Sequence, residues 1–457
     1  MYTYAVNNLG DPRLSAFNRQ TQKHDGERTM SKLAIAMACA TGLALAGAAA
    51  TRPALADAPA VKDIIKTYGD VAEAMYSDSL AKAKDLDKAI DAFLAAPDAT
   101  TQKAAQDAWK AARIPYMQTE GFRFGNKIVD DWEGNVNSWP LDEGLIDYVD
   151  KASYGDAKEE NPLYTANIIA NKSIRLGPKV LDASKIDKTV IGQLNSALEV
   201  EANVGTGYHA IEFLLWGQNL NGTKPGTGER PASDYDLKNC THDNCDRRRD
   251  YLKAASSLLI DDLGDMVGNW KADGAAREAL AKQDANAQLS TILTGIGSLS
   301  YGELAGERMK LGVLLHDPEE AHDCFSNNTQ NSHFYDEVGM IEIWNGKYDG
   351  ATAISGASIA ALARAKAPDA AKRVDEAMEN TKAKLNAIKV KADSGEMGYN
   401  QMLAAGNDAG NKLILDGVDA LVAQARAVEA VVAALNLKIK IEGSDSLDHP
   451  DQVATKK

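Results

Sequence analysis

Apolar residues recur at helical spacing along most of the chain. Val61, Ile64, Ile65, Tyr68, Val71 and Met75 begin the first stripe, and Leu86, Ile90, Phe93 and Leu94 continue it. Residues three and four apart share one helix face, so the pattern predicts a helix over 58–96 that Pro97 stops. Asp98 or Thr100 can cap the next helix, which carries Trp109, Ala112, Arg113, Tyr116, Met117 and Glu120, with Pro115 as a kink. Residues 125–162 read as loop, and helices are expected at 162–172 and 187–203. A stretch rich in Gly, Asn, Thr, Pro and Asp follows at 218–244 and reads as a long loop. Helical pattern resumes at Cys245, runs with interruptions to Ala285, and returns over 289–314. The polar loop 316–333 holds His316, His322 and His333, three of the chain's seven histidines. Residues 334–345 and 355–437 are helical again, with Pro368 as a break. No strand-like alternation of any length is present. The pattern predicts an all-α fold of two helical bundles packed side by side, 58–217 and 245–437, with long irregular loops and a charged, frayed tail over 438–457.

One stretch departs from amphipathic patterning. In Gly207–Gly217, Ile211, Phe213, Leu214, Leu215 and Trp216 surround His209 and Glu212 on every side. A helix that is apolar all round is buried. Gly205 and Gly207 just before it predict that the helix breaks and restarts there. His209 and Glu212 stand three apart and share a face. A lone carboxylate in a core costs several kcal/mol, on the order of a domain's whole stability. Glu212 therefore needs a metal ion, an arginine or a proton beside it. Di-metal helical bundles use a Glu and a His at this spacing in the opposite order.

Charge narrows the partners. A formal net charge of -15 over 457 residues argues against nucleic acid and anionic membranes, and suits cations. The start of the chain reads as processing sequence. Residues 1–29 form a polar extension, and Met30 opens a signal peptide over 30–56 that ends in Ala54-Leu55-Ala56 before Asp57. No stretch of the mature chain is long and apolar enough to span a bilayer. The expected location is the periplasm or cell envelope, where disulfides form. Cys240 and Cys245 flank a short polar loop and are the default pair, with Cys324 able to replace one of them. Covalent haem is not indicated, since Cys-x-x-Cys-His is absent.

Gly207-Tyr208-His209-Ala210-Ile211-Glu212 resembles the Gly-x-His-x-x-Glu signature of the imelysin family. Trp109-x-x-x-Arg113, Glu120 with Phe122 and Phe124-Gly125, Trp139-Pro140-Leu141-Asp142 and Ile146-Asp147-Tyr148-Val149 are similar to that family as well. Gly302-Glu303-Leu304-Ala305-Gly306-Glu307-Arg308 and His316-Asp317-Pro318-Glu319-Glu320 resemble its longer branch of iron-regulated envelope proteins. The resemblance implies two helical bundles with the signature near their interface. It implies a cation held by His209 and Glu212, with Glu120 the first candidate for a further ligand. Asp142, Glu303, Glu307 and the loop histidines, His333 among them, come next. Arg113, Arg308, Trp139 and Gly207 would line the site. Mixed imidazole and carboxylate donors suit a divalent or ferric ion, iron first and zinc second. An envelope iron-transport component is the implied partner. The family is classed with metallopeptidases, yet His-Glu-x-x-His is missing here and catalytic residues stay unassigned. The expected function is cation capture for iron acquisition. A metal-dependent endopeptidase at the same site and a non-catalytic helical interaction protein are the alternatives.

Overall fold

A computed structural model describes residues 58–441, 443 and 445–449. The expected extension at 1–29 and signal peptide at 30–56 lie outside these residues, as do 450–457. Among the described residues no helix is long and apolar enough to cross a membrane.

Helix dominates. The principal helices are α1 (Val61–Ala95), α2 (Ala99–Met117), α3 (Gly207–Trp216), α4 (Cys245–Trp270), α5 (Ala285–Ser298), α6 (Thr329–Asn345), α7 (Pro368–Asp393) and α8 (Asp408–Ala434). α1 buries the stripe that its spacing predicts, including Ile64, Val71, Met75, Leu86, Ile90 and Phe93. Asp98 is the cap of α2, accepting from the backbone N–H groups of Thr100 and Thr101. α1 lies along α2 and α4, and α3 packs between α2 and α4. α7 pairs with α8, and α6 packs on α7. α6 also packs on α2, which joins the two groups of helices.

The all-α reading holds, with local corrections. Residues 162–172 are a run of turns, not a helix. Asn161, Asn167 and Asn171 each hydrogen-bond nearby backbone there, and Asn167 has a positive φ of 43°. Such side chains offer the backbone an alternative to helix. The following residues form a hairpin, β1 (Ser173–Leu176) with β2 (Lys179–Asp182), closed by Gly177-Pro178. A second hairpin pairs β3 (Lys347–Tyr348) with β4 (Ile354–Ser355). Of the helix expected at 187–203, only Lys188–Gly192 and a short turn at Ala197–Glu199 form.

α5 runs on as a π-helical stretch, Leu299–Lys310. Its wider turn stacks residues five apart rather than four. That brings Glu303 to Arg308 at 2.8 Å.

Candidate metal centre

α3 is buried at all ten positions. Gly207 starts it at φ +79°, and a Cβ there would stand 2.4 Å from the carbonyl oxygen of Val136. Only glycine lets the two backbones meet this closely. The Tyr208 N–H donates to that same carbonyl at 2.8 Å, and Trp109 Nε1–H donates to the Tyr208 carbonyl at 2.9 Å. Phe213, Leu214, Leu215 and Trp216 are at most 3 % exposed. Each such side chain contributes about 1.5–3 kcal/mol on burial, which offsets the cost of carrying an imidazole and a carboxylate inward.

His209 Nδ1 and Glu212 Oε2 are 3.0 Å apart, and both side chains are fully buried. The other carboxylate oxygen of Glu212 accepts the Ser326 N–H at 2.8 Å. His209 Nε2 is buried and has no hydrogen-bond partner among the described residues. Beside the His209 ring lie His322, with ring centroids 4.7 Å apart, and Asp323, both from the segment ahead of α6. One ligand atom each from His209, His322 and Asp323 falls within 4.8 Å of the others. Two metal–ligand bonds of ~2.1 Å span at most ~4.2 Å, so small side-chain shifts close this set on one ion. Two imidazoles and one carboxylate are a donor set that suits Fe(II).

The surroundings hold these groups in place. Asp323 accepts from Arg113 at 2.9 Å, from Ser332 at 2.5 Å and from Asn328 at 3.0 Å. The Trp139 ring lies 4.9 Å from His209 and 6.4 Å from His322, and covers both. Burial, with the Arg113 charge, holds His209 well below the usual histidine range. Burial and then the Arg308 charge do the same to His322. Both rings are therefore neutral, as metal ligation requires. Burial pushes Glu212 well above the usual carboxylate range, and the Asp323 charge adds to it. Burial also raises Asp323, but Arg113 and its hydrogen bonds outweigh that and keep it low.

Other expected site residues stand elsewhere. Glu120 is bound to Arg308 at 2.7 Å, together with Glu303 at 2.8 Å and Asp336 at 3.3 Å. Asn137 links the two clusters, accepting from Arg113 at 2.5 Å and donating to Glu120 at 3.4 Å. Asp142 accepts from Asn161 at 2.6 Å, and burial raises it. His333 is buried on α6 against the Tyr399 ring, with neither nitrogen hydrogen-bonded among the described residues. Glu303 and Glu307 line a cavity of about 390 Å³ that reaches His322, Trp139 and Arg308. Five glutamates line this cavity against two arginines, so its mouth favours cations. One of them, Glu133, is pushed up to about 7 by burial, with Arg123 opposing. Cys240 and Cys245 are disulfide-bonded with Cα atoms 5.9 Å apart, and Cys324 is free and buried.

His322 and Asp323 were visible only as part of a polar, histidine-rich loop. The signal available was His-Asp placed shortly before a helix whose polar residues, Gln330 and Ser332 among them, do not face water.

The chain is similar to known proteins over most of its length. A 71-residue segment is 37 % identical to iron-regulated protein A of Synechococcus elongatus, and spans 20 % of that protein's length. A crystal structure of an iron-regulated protein A precursor from Parabacteroides distasonis aligns with a TM-score of 0.56 at 19 % identity, over 83 % of this chain and 96 % of that one. That of an imelysin-like protein from Psychrobacter arcticum aligns with a TM-score of 0.52 at 14 % identity, over 82 % of this chain and 98 % of that one. At those identities the two structures share the fold. The imelysin family's sequence model matches residues 72–428, and the chain belongs to the imelysin family.

Proposed function

We propose that this protein is an exported cation-binding protein of the bacterial envelope that serves iron acquisition. His209, His322 and Asp323 are the ligands, and Glu212 orients His209. One observation carries the reading: His209 engages Glu212 through Nδ1 and leaves its buried Nε2 unpartnered, and a second imidazole and a carboxylate bring ligand atoms within 4.8 Å of this ring. That is the carboxylate–histidine arrangement that fixes a metal-binding tautomer. The donor set favours iron, and two of the similar proteins are named iron-regulated; zinc is the second choice. The ion is cargo, entering through the acidic cavity at His322 and passing to an envelope iron-transport component.

Capture is favoured over peptide hydrolysis. A metallopeptidase needs a general base at the metal-bound water. Both oxygens of Glu212 are engaged, one by His209 and one by Ser326. Metal analysis of protein purified without an affinity tag tests the proposal. About one ion per chain is expected, lost in His209→Ala and in His322→Ala. Unchanged metal content in both variants rejects the ligand assignment. Chelator-sensitive cleavage of an unfolded polypeptide would move the balance to the peptidase.

A further inference from the structure

Trp139 also lines a cavity of about 680 Å³ that plays no part in the cation-capture scheme. Asp142, Glu143, Asp150, Asp317 and Glu319 line it, and among the described residues no Lys, Arg or His does. Exposed carboxylates of this kind are ordinarily screened by solvent ions. Glu143 is different, because it is buried.

Glu143 is 7 % exposed and opens the short helix Glu143–Ile146. It forms no ion pair among the described residues; its hydrogen-bond donors are its own N–H and the Gln218 amide, which lines the same cavity. Burial pushes it up to about 8, and the Glu319 charge adds to the rise. A carboxylate so placed takes up either a proton or a cation. On its cavity side there is room for the cation.

The rest of the wall indicates which kind. The carboxylates are spread: among the described residues no three of them bring oxygens within 4.8 Å of one another, so they do not converge on a single metal ion. The remaining wall is aromatic. Tyr154 and Tyr164 stack at 4.2 Å, nearly parallel at 13°. The Tyr164 hydroxyl donates to the Tyr154 carbonyl at 3.0 Å, and the Tyr154 hydroxyl accepts the Gly144 N–H at 3.0 Å. Gly144 follows Glu143, and a Cβ there would stand 2.8 Å from the Tyr154 ring, so the missing side chain lets this plate sit close to the buried carboxylate. Aromatic faces attract ammonium groups and cover alkyl chain. We propose that the cavity binds an organic cation with two or more ammonium groups several ångströms apart, one on Glu143 and the linking chain against the tyrosine and Trp139 rings. An aliphatic polyamine has this chemistry, and a volume of about 680 Å³ is ordinary for a small-molecule site.

Calorimetric titration of chelator-treated protein at physiological ionic strength tests this apart from the metal centre. Spermidine is expected to bind once per chain, and butylamine and Ca(II) at least about tenfold more weakly. Glu143→Gln keeps the shape of the buried side chain and removes its charge, and should weaken spermidine at least about tenfold. Leu220 lines the cavity and is 62 % exposed, so Leu220→Arg brings a tethered cation to it without loss of buried packing, and should weaken spermidine as much. Glu376→Gln removes an exposed charge on α7 and should leave the affinity unchanged. No binding of spermidine at millimolar concentration, butylamine or Ca(II) binding as tightly, an equal loss in Glu376→Gln and Glu143→Gln, or unchanged affinity in Glu143→Gln or Leu220→Arg overturns the proposal.

Discussion

His209 has one nitrogen engaged and one left over, and that asymmetry defines its chemistry. A cation on Nε2 needs a proton on Nδ1 that donates to an ionised Glu212. Burial and the Asp323 charge hold Glu212 protonated without a cation. Binding therefore releases about one proton per ion, and affinity should rise about tenfold per pH unit while Glu212 remains protonated in the cation-free protein. Calorimetry in buffers of different ionisation enthalpy measures that proton; none released contradicts the scheme. Glu212→Gln keeps the shape and removes the charge, and should weaken binding about 10–100-fold. His322→Ala removes a ligand and should weaken it further. Arg113 tests the purely structural reading of the site. Removing one partner of a buried ion pair costs about 3–5 kcal/mol, so Arg113→Ala should lower the melting temperature of the cation-free protein. A bound cation then takes over part of the compensation of Asp323, so the variant should gain more Tm from metal than the wild type does. An equal gain in both would mean that the cation does not sit beside Asp323. The sequence showed His209 and Glu212 because a polar pair in an apolar helix is conspicuous. It did not show His322 and Asp323 as their neighbours, because they come from a loop over a hundred positions away. Glu120 was expected as a ligand only from the family resemblance, and Arg308 neutralises it.

At the scale of elements, amphipathic helices were legible and the rest was less so. α1 and α8 carry continuous stripes, and the structure buries those stripes. Residues 162–172 have apolar residues at tolerable spacing, but their asparagines bond the backbone and win over helix. The hairpin at 173–182 is too short to show an alternation. The π-helical stretch at 299–310 has no sequence period of its own, so Glu303 and Arg308 were not expected as neighbours. α3 depends on its first residue. Gly207→Ala forces a side chain into the left-handed region and against the Val136 carbonyl. It should cost at least ~1–3 kcal/mol, read as a lower denaturation midpoint, and should weaken metal binding as α3 shifts. Full stability in this variant would show that the approach to Val136 is not tight.

Across the whole molecule, buried titrating groups set the pH dependence of the cation-free protein. Burial raises Glu143 to about 8, with Glu319 adding to it, and raises Glu342 to about 8. Groups raised this way contribute stability that is complete below the ordinary carboxylate range and is lost as pH rises through about 8. Burial lowers His209, His322 and His333, the last to about 3. Their contribution is complete above about 6.5 and is lost as pH falls below it. Thermal stability should therefore peak near neutrality and fall by pH 8.5; a melting temperature that rises from pH 7 to 8.5 contradicts this. On the proposed reading, the acidic net charge of -15 and the carboxylate-rich cavity at His322 draw cations to the same centre. Anomalous diffraction from crystals loaded with Fe(II) tests that claim most directly. The account predicts one iron peak bonded to His209 Nε2 with His322 and Asp323 around it. A peak elsewhere, or no peak there at saturating metal, contradicts it.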